Sequence, residues 1–329
     1  MIYQNLYYET LIRPGEEGAD LLRIVSGYAA STMALQHLED LRKNNNNVKV
    51  SLLLGMCPTD GLALSNHKGF QDITISENYK DKFSCSYIYK VPPVHTKLYI
   101  WYKDKNLYKS FIGSANYTHN AFFHQRETLA EIHDYNVTNY YHLLEADSIY
   151  CNELEVENLI QLSNDKNYYQ NHINEDNPTG RIQEATGIEQ ITVSLLSSRT
   201  GEVQNTGGLN WGHRGSKNPN RNRNEAYIQL PPNVYKSDFF PPKPQHFRVV
   251  TDDSKQFICV RAEKDDVGQT IHTPLKNSLL GEYFRSRLGL SYGSFVKKED
   301  LIRYGRTDVK FYKFDDEEYL MDFSVLKSQ

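Results

Sequence analysis

Apolar positions along the first 160 residues fall into two alternating periods. Leu21–Ala29 is a strand-length apolar run. Ser31–Lys43 repeats its apolar side chains at helical spacing, opens on a serine suited to an N-cap and ends in the run Asn44–Asn47. Val48–Met56 is almost continuously apolar, as a strand covered on both faces is. Further strands are predicted at Cys85–Lys90, Thr96–Tyr102, Lys109–Ile112 and Thr128–Ile132, followed by a helical pattern from Val137 to Ile160. Strands alternating with helices predict a layered α/β fold.

From Asn164 to Gly187 the chain is polar and rich in Asn, Asp, Gln and Glu, with Pro178-Thr179-Gly180 at its middle. Beyond it the pattern changes. Short strand-length runs at Ile191–Leu196, Glu225–Leu230, His246–Val250, Gln256–Ala262 and Val309–Phe314 are separated by Pro, Gly and Asn clusters, with one helix at Ser278–Arg287 closed by Gly289. This half reads as mostly β, a barrel or sandwich. The expected organisation is a domain over 1–165, a linker over 166–187 and a second domain over 188–329.

Composition narrows the class. The 329 residues are 39% hydrophobic and 24% charged, an ordinary globular balance and long enough for two cores. No run of about 18 apolar residues is present, so a membrane span is not expected. Cys57, Cys85, Cys151 and Cys259 are widely spaced without a Cys-x-x-Cys pair, which argues against a zinc site or disulfide framework and for the reducing cytoplasm. The formal net charge of -4 is unevenly divided. Residues 1–180 hold 15 basic and 22 acidic side chains, a balance of -7; residues 181–329 hold 22 and 19, a balance of +3. Without the acidic stretch from Asp315 onward, 181–314 holds 21 and 14, or +7.

The candidate chemistry lies in the first half. On a strand, His95 and Lys97 of His95-Thr96-Lys97-Leu98 would share one face. Sixteen residues after Lys97 comes the turn Gly113-Ser114-Ala115-Asn116, and Glu127 lies eleven residues beyond Asn116. Hydrolysis of a phosphodiester needs a nucleophile, charge stabilisation and a proton donor. His95 can attack phosphorus or act as acid, Lys97 and Asn116 can hold non-bridging oxygens with Ser114 as a supporting contact, and Glu127 can fix the imidazole. This inventory calls for no metal and no cofactor.

His95-x-Lys97 followed by Gly113-Ser114-x-Asn116 resembles the HKD signature of the phospholipase D superfamily, and Glu127 falls where its nucleases carry a histidine-orienting glutamate. One position departs: Tyr102 stands where the signature has aspartate, which weakens a lipase reading more than a nuclease one. With a single signature in the chain, the resemblance implies a homodimer whose two His95 side chains face each other, one as nucleophile and one as acid.

In the second half, Trp211-Gly212-His213-Arg214-Gly215-Ser216-Lys217-Asn218-Pro219-Asn220-Arg221-Asn222-Arg223-Asn224 places Arg214, Lys217, Arg221 and Arg223 among asparagines. Arginine pairs bidentately with guanine, asparagine with adenine, and lysine neutralises phosphate. A second polar stretch carries His272, Thr273, Lys276 and Asn277 ahead of an amphipathic helix. That helix reads as core, while Arg285, Arg287, Lys297 and Lys298 read as a solvated face.

Gly208–Gly212, Glu225–Pro231 and Asn277–Arg285 resemble the C-terminal domain of the NgoFVII family of restriction endonucleases, whose BfiI-like relatives join a phospholipase D-like nuclease to a plant-B3-like DNA-binding pseudobarrel. The resemblance implies an N-terminal phospholipase D-like α/β sandwich, a C-terminal mostly-β pseudobarrel, and two loop-bearing arms entering the major groove, here 211–224 and 269–277. It also implies double-stranded DNA as partner, a GC-rich target of the GCSGC type, a helicase-like ATPase partner in some systems and a methyltransferase protecting the same site. A lipid phosphodiesterase and a non-catalytic DNA-binding protein are the rival readings.

Overall fold

A computed structural model describes residues 1–44, 47–163, 188–214, 221–262 and 268–325. The expected linker, 166–187, lies outside the described residues, as does Lys217. The chain divides into two compact units, Met1–Asn164 and Asp165–Gln329.

The first unit is built on a seven-stranded sheet. Its strands are β1 (Leu21–Ser26), β2 (Lys49–Leu54), β3 (Phe83–Ile88), β4 (Leu98–Lys103), β5 (Asn106–Gly113), β6 (Leu129–Ile132) and β7 (Ser148–Tyr150). They lie in the order β6-β5-β4-β1-β2-β3-β7. The inner strands β1, β2 and β3 run parallel, with antiparallel pairs at both flanks. Helices α1 (Ser31–Lys43), α2 (Leu64–Ile75) and α3 (Asn136–Glu145) provide the crossovers and cover. Parallel strands need both faces covered, and β1, β2 and β3 bury most of their side chains; antiparallel β4 is as deeply buried, Trp101 among its residues.

Capping of α1 differs from the expectation at Ser31. Ala30 is the N-cap, and the capping is done from α2: Asn66 Oδ1 accepts the Ser31 N–H at 2.7 Å while its Nδ2 donates to the Ala29 carbonyl at 2.7 Å. α2 itself was not anticipated. The helical pattern expected over 137–160 stops at Glu145, because Ser148–Tyr150 leaves the helix to pair with β3 and cover the sheet edge.

The second unit holds a seven-stranded sheet of β8 (Glu189–Ser194), β9 (Ile228–Gln229), β10 (His246–Thr251), β11 (Gln256–Ala262), β12 (Thr270–His272), β13 (Asp308–Lys313) and β14 (Glu318–Asp322). The order is β8-β13-β14-β10-β11-β12-β9, and the edge strands β8 and β9 approach each other, so the sheet curls into a nearly closed barrel. Its apolar interior includes Phe240, Phe247, Phe311, Tyr319 and Phe323, with α4 (Leu279–Arg287) and α5 (Lys298–Tyr304) packed on it. The acidic stretch from Asp315 is corrected here. Glu318–Asp322 is an internal strand, parallel to β10 and antiparallel to β13, with Tyr319, Leu320 and Met321 buried. Alternation of charge with large apolar residues there signals a strand; net acidity concealed it.

Candidate active site

Strand register assembles a cleft at one end of the first sheet. β1 and β4 are antiparallel with Val25 opposite Leu98, so the C-terminal end of β1 adjoins the segment entering β4. Leu98 pairs with Ile112 on β5, and Gly113 with Leu129 on β6. Four strands therefore deliver residues 26–28, 95–97, 113–116 and 127 to one place. The resulting cleft, about 510 Å³, is lined by His95, Thr96, Lys97, Ser114, Asn116 and Glu127, among others.

His95 and Lys97 share the cleft, although residues 95–97 precede β4 and lie outside the strand. Thr96, expected on the opposite face, also lines the cleft and bonds the Tyr140 hydroxyl at 2.9 Å. Lys97 is nearly buried and its Nζ donates to the His95 carbonyl at 2.8 Å. Burial draws the Lys97 pKa below its ordinary value, while the charge of Glu127 acts in the opposite direction.

Asn116 has a defined orientation. The Tyr28 backbone N–H, which can only donate, lies 3.2 Å from Asn116 Oδ1, so the amide nitrogen is the group left to face the cleft as a donor. The loop carrying Asn116 is anchored from below. Ser26 Oγ accepts the Tyr117 N–H at 2.9 Å, and the Tyr117 hydroxyl lies 2.7 Å from Nδ1 of His37. Nε2 of His37 donates to the Leu11 carbonyl at 2.8 Å, and a ring kept neutral by burial then accepts the Tyr117 hydroxyl at Nδ1. Complete burial pushes the His37 pKa down to about 4.

Glu127 accepts a hydrogen bond from Ser114 Oγ, and the Thr128 N–H donates to that same oxygen at 3.2 Å. The bond expected from Glu127 to the His95 imidazole is not formed among the described residues. Tyr102, at the aspartate position, is buried beneath α3, with its hydroxyl 2.9 Å from Thr138 Oγ1 and the Arg23 guanidinium 5.3 Å from its ring.

Two glycines and a tyrosine of the site were not anticipated. A Cβ on Gly27 would stand 2.7 Å from His95 Cδ2, and one on Gly55 would stand 1.9 Å from the Val94 carbonyl oxygen. Tyr28 sets its ring against His95, centroids 5.9 Å apart at 78°. The run Ser26-Gly27-Tyr28 at the end of an apolar strand is the signal that carried two of them, and Gly55 closes the apolar run of β2.

In the second unit the expected DNA-reading residues are scattered in environment. Arg214 and Arg223 are exposed. Arg221 stacks on Trp211 at 4.4 Å and pairs with Glu225 at 3.2 Å. Two residues are corrected. Asn224 is fully buried, its Oδ1 accepting the Gly293 N–H at 2.7 Å, and Thr273 is fully buried, its hydroxyl donating to the Lys276 carbonyl at 2.8 Å. Both close loops and present nothing to a ligand. Lys276 is exposed beside Glu282 at 3.1 Å, Asn277 is half-buried with its carbonyl accepting the Ala226 N–H, and half-buried His272 ends β12 opposite Val260.

The solvated-face reading of Arg285 and Arg287 is corrected too. Arg285 is 1% exposed and donates to the carbonyls of Gly281, Leu209 and Ser294, while Arg287 pairs with Asp252 at 2.9 Å. A second cleft of about 1170 Å³ lies in this unit, lined by Arg199, Gln204, Asn233, Lys297 and Lys298 among others.

Comparison with known proteins follows the same division. Residues 4–158 match the NgoFVII restriction endonuclease N-terminal PLD domain, and residues 183–315 match the NgoFVII C-terminal B3-like DNA-binding domain. No curated protein sequence matches. Among solved structures, NucT from Helicobacter pylori aligns at 18% identity and a TM-score of 0.30, over 43% of this chain and 87% of its own. Polyphosphate kinase from Porphyromonas gingivalis aligns at 9% identity and a TM-score of 0.30, over 46% of this chain and 24% of its own. Among the described residues no helix is long and apolar enough to cross a membrane.

Proposed function

The chain belongs to the NgoFVII family of restriction endonucleases, type II site-specific deoxyribonucleases, and on that premise we propose that it cuts DNA without a metal ion, through a phosphohistidine formed on His95. The observation that supports this most is the convergence of His95, Lys97, Ser114, Asn116 and Glu127 on one open cleft.

An imidazole nitrogen of His95 attacks phosphorus, and the P–N bond forms as the P–O bond to the leaving oxygen breaks. That oxygen takes its proton from the imidazolium of His95 in a second copy of the chain. Water then attacks phosphorus, loses a proton to that same imidazole and breaks the P–N bond, so that one water is consumed per cut. The Lys97 ammonium and the Asn116 amide donate to the non-bridging oxygens, where negative charge builds. Glu127 accepts the one hydroxyl proton of Ser114, which becomes a supporting phosphate contact when that proton turns from the carboxylate to the substrate. One chain supplies one such histidine at the cleft, which is the reason for proposing a homodimer.

DNA binding by the basic second unit follows counterion release, with Arg214, Arg223 and Lys217 as phosphate or base contacts. On family grounds the proposal extends to a GCSGC-type target, a helicase-like ATPase partner, a methyltransferase protecting the same site and a cytoplasmic location.

The test incubates the full chain with duplex DNA carrying GCSGC sites in excess EDTA, with and without His95→Ala. The expected result is EDTA-resistant cutting abolished by the substitution, with an acid-labile protein–DNA adduct trapped on rapid quenching. Cutting that survives His95→Ala overturns the mechanism. Hydrolysis of phosphatidylcholine without DNA cutting would favour a lipid phosphodiesterase, and binding without cutting a non-catalytic DNA-binding protein.

A further inference from the structure

Tyr28 sits just past the end of β1, 44% exposed, where a tyrosine ordinarily turns freely in solvent. Here it is held at both ends. Its hydroxyl donates to the carboxylate of Asp60, in the short helix Cys57–Asp60 after β2, and its backbone N–H donates to Asn116 Oδ1 at 3.2 Å. Between those anchors its ring stands edge-to-face against the His95 ring, centroids 5.9 Å apart. Gly27 also borders His95, and its missing Cβ leaves room for the imidazole. One residue thus touches two of the groups assigned to the chemistry, His95 through its ring and Asn116 through its backbone.

An exposed imidazole at the mouth of an open cleft has several rotamers to choose from, and only some aim a nitrogen at phosphorus. A rigid neighbouring ring removes that choice, and an edge-to-face aromatic pair is favourable beyond the area it buries. We propose that Tyr28 is a positioning residue for His95, clamped by Asp60, which selects the imidazole rotamer competent for attack. The inference rests on the reading of His95 as the reacting group. Asp60 acts through Tyr28 and touches no substrate.

The test has two independent readouts on the full chain. The first is the single-turnover cleavage rate of a GCSGC duplex in EDTA, measured beside the dissociation constant for that duplex. Tyr28→Leu is expected to lower the rate by about tenfold to a hundredfold, with the dissociation constant unchanged within twofold. Tyr28→Phe and Asp60→Ala are expected to give smaller, equal losses that do not add in the double variant, because each removes one end of the same hydrogen bond. The second readout is the proton–carbon spectrum of carbon-13 histidine-labelled protein, with His95 assigned from His95→Ala. The edge-to-face tyrosine shifts the His95 ring protons, and Tyr28→Leu is expected to return them toward free-histidine positions while the other histidine signals, which report folding, stay in place.

Unmoved His95 resonances in Tyr28→Leu, or cleavage at the wild-type rate, overturn the positioning role. Additive losses in Tyr28→Phe and Asp60→Ala overturn the clamp. A wild-type chain that leaves DNA intact would sink the nuclease reading alone, because the resonances judge Tyr28 without any cleavage.

Discussion

Gly27→Ala is the smallest change that separates catalysis from folding in this protein. Gly27 is not among the glycines with left-handed backbone, so alanine meets no backbone penalty there. The added Cβ would stand 2.7 Å from His95 Cδ2 and 3.5 Å from Asn116 Oδ1. Carbon atoms settle at roughly 3.5–4.0 Å, so one partner must retreat by about 1 Å. The strand is the less mobile of the two: the Gly27 carbonyl accepts the Met56 N–H at 3.1 Å, and the Ser26 carbonyl accepts the Gly55 N–H at 2.9 Å. The exposed imidazole therefore moves. A displacement near 1 Å at a reacting group lowers the rate by about a hundredfold, or about 2.7 kcal/mol of barrier. The assay is single-turnover cleavage in EDTA with DNA affinity and thermal midpoint measured in parallel, and only the rate is expected to change. Gly55→Ala is the contrast: its Cβ would meet the Val94 carbonyl oxygen at 1.9 Å, a backbone clash that is expected to lower the thermal midpoint itself. Wild-type cleavage by Gly27→Ala would refute the placement of His95 against Gly27.

Three further outcomes follow from the geometry. His37 is neutral and buried with its pKa down to about 4 from 6.5, so the unfolded chain binds the extra proton first and stability falls as pH drops from 6.5 toward 4. The loss is about 1.4 kcal/mol per pH unit and about 3 kcal/mol in all, and urea unfolding at pH 7, 5.5 and 4.5 should show a shallower acid limb in His37→Gln. Glu127 counters the lowering of the Lys97 pKa by burial, so Glu127→Gln should move the alkaline limb of the cleavage rate, where the ammonium is lost, to lower pH; an unmoved limb would deny Lys97 its cationic role. Arg223→Ala should flatten the dependence of log affinity on log salt by about one unit if Arg223 meets a phosphate, whereas Asn224→Ala should lower the thermal midpoint of the chain and leave that slope alone.

Much of the first unit was legible because parallel strands need cover on both faces, and Val48–Met56 says so in almost every residue. Its site was legible as an inventory, since His95, Lys97, Ser114, Asn116 and Glu127 do line one cleft. Their mutual bonds were not: Glu127 meets Ser114, a pairing set by the register of Gly113 against Leu129 that no spacing reveals. The second unit was harder. Arg285 and Asn224 carry the side chains of a DNA reader but are buried fastenings for loops, because a small barrel leaves loop carbonyls and amides that only long or branched polar side chains reach. Glu318–Asp322 was misread for the opposite reason, its charged residues drawing notice away from Tyr319, Leu320 and Met321.

The placement of β14 also sets an order in time. The strand that lies between β13 and β10, in the interior of its sheet, leaves the ribosome after every other described strand of that sheet. Every residue of the cleft has been synthesised by Glu127, some 190 residues earlier at roughly 5–20 residues per second. The half that would cut DNA, complete by Asn164, therefore precedes closure of the other half's barrel by about 160 residues, or roughly eight seconds or more. A net charge of -7 over residues 1–180, which opposes a polyanion on Coulombic grounds, is a fitting property for a catalyst that exists, however briefly, without its guide.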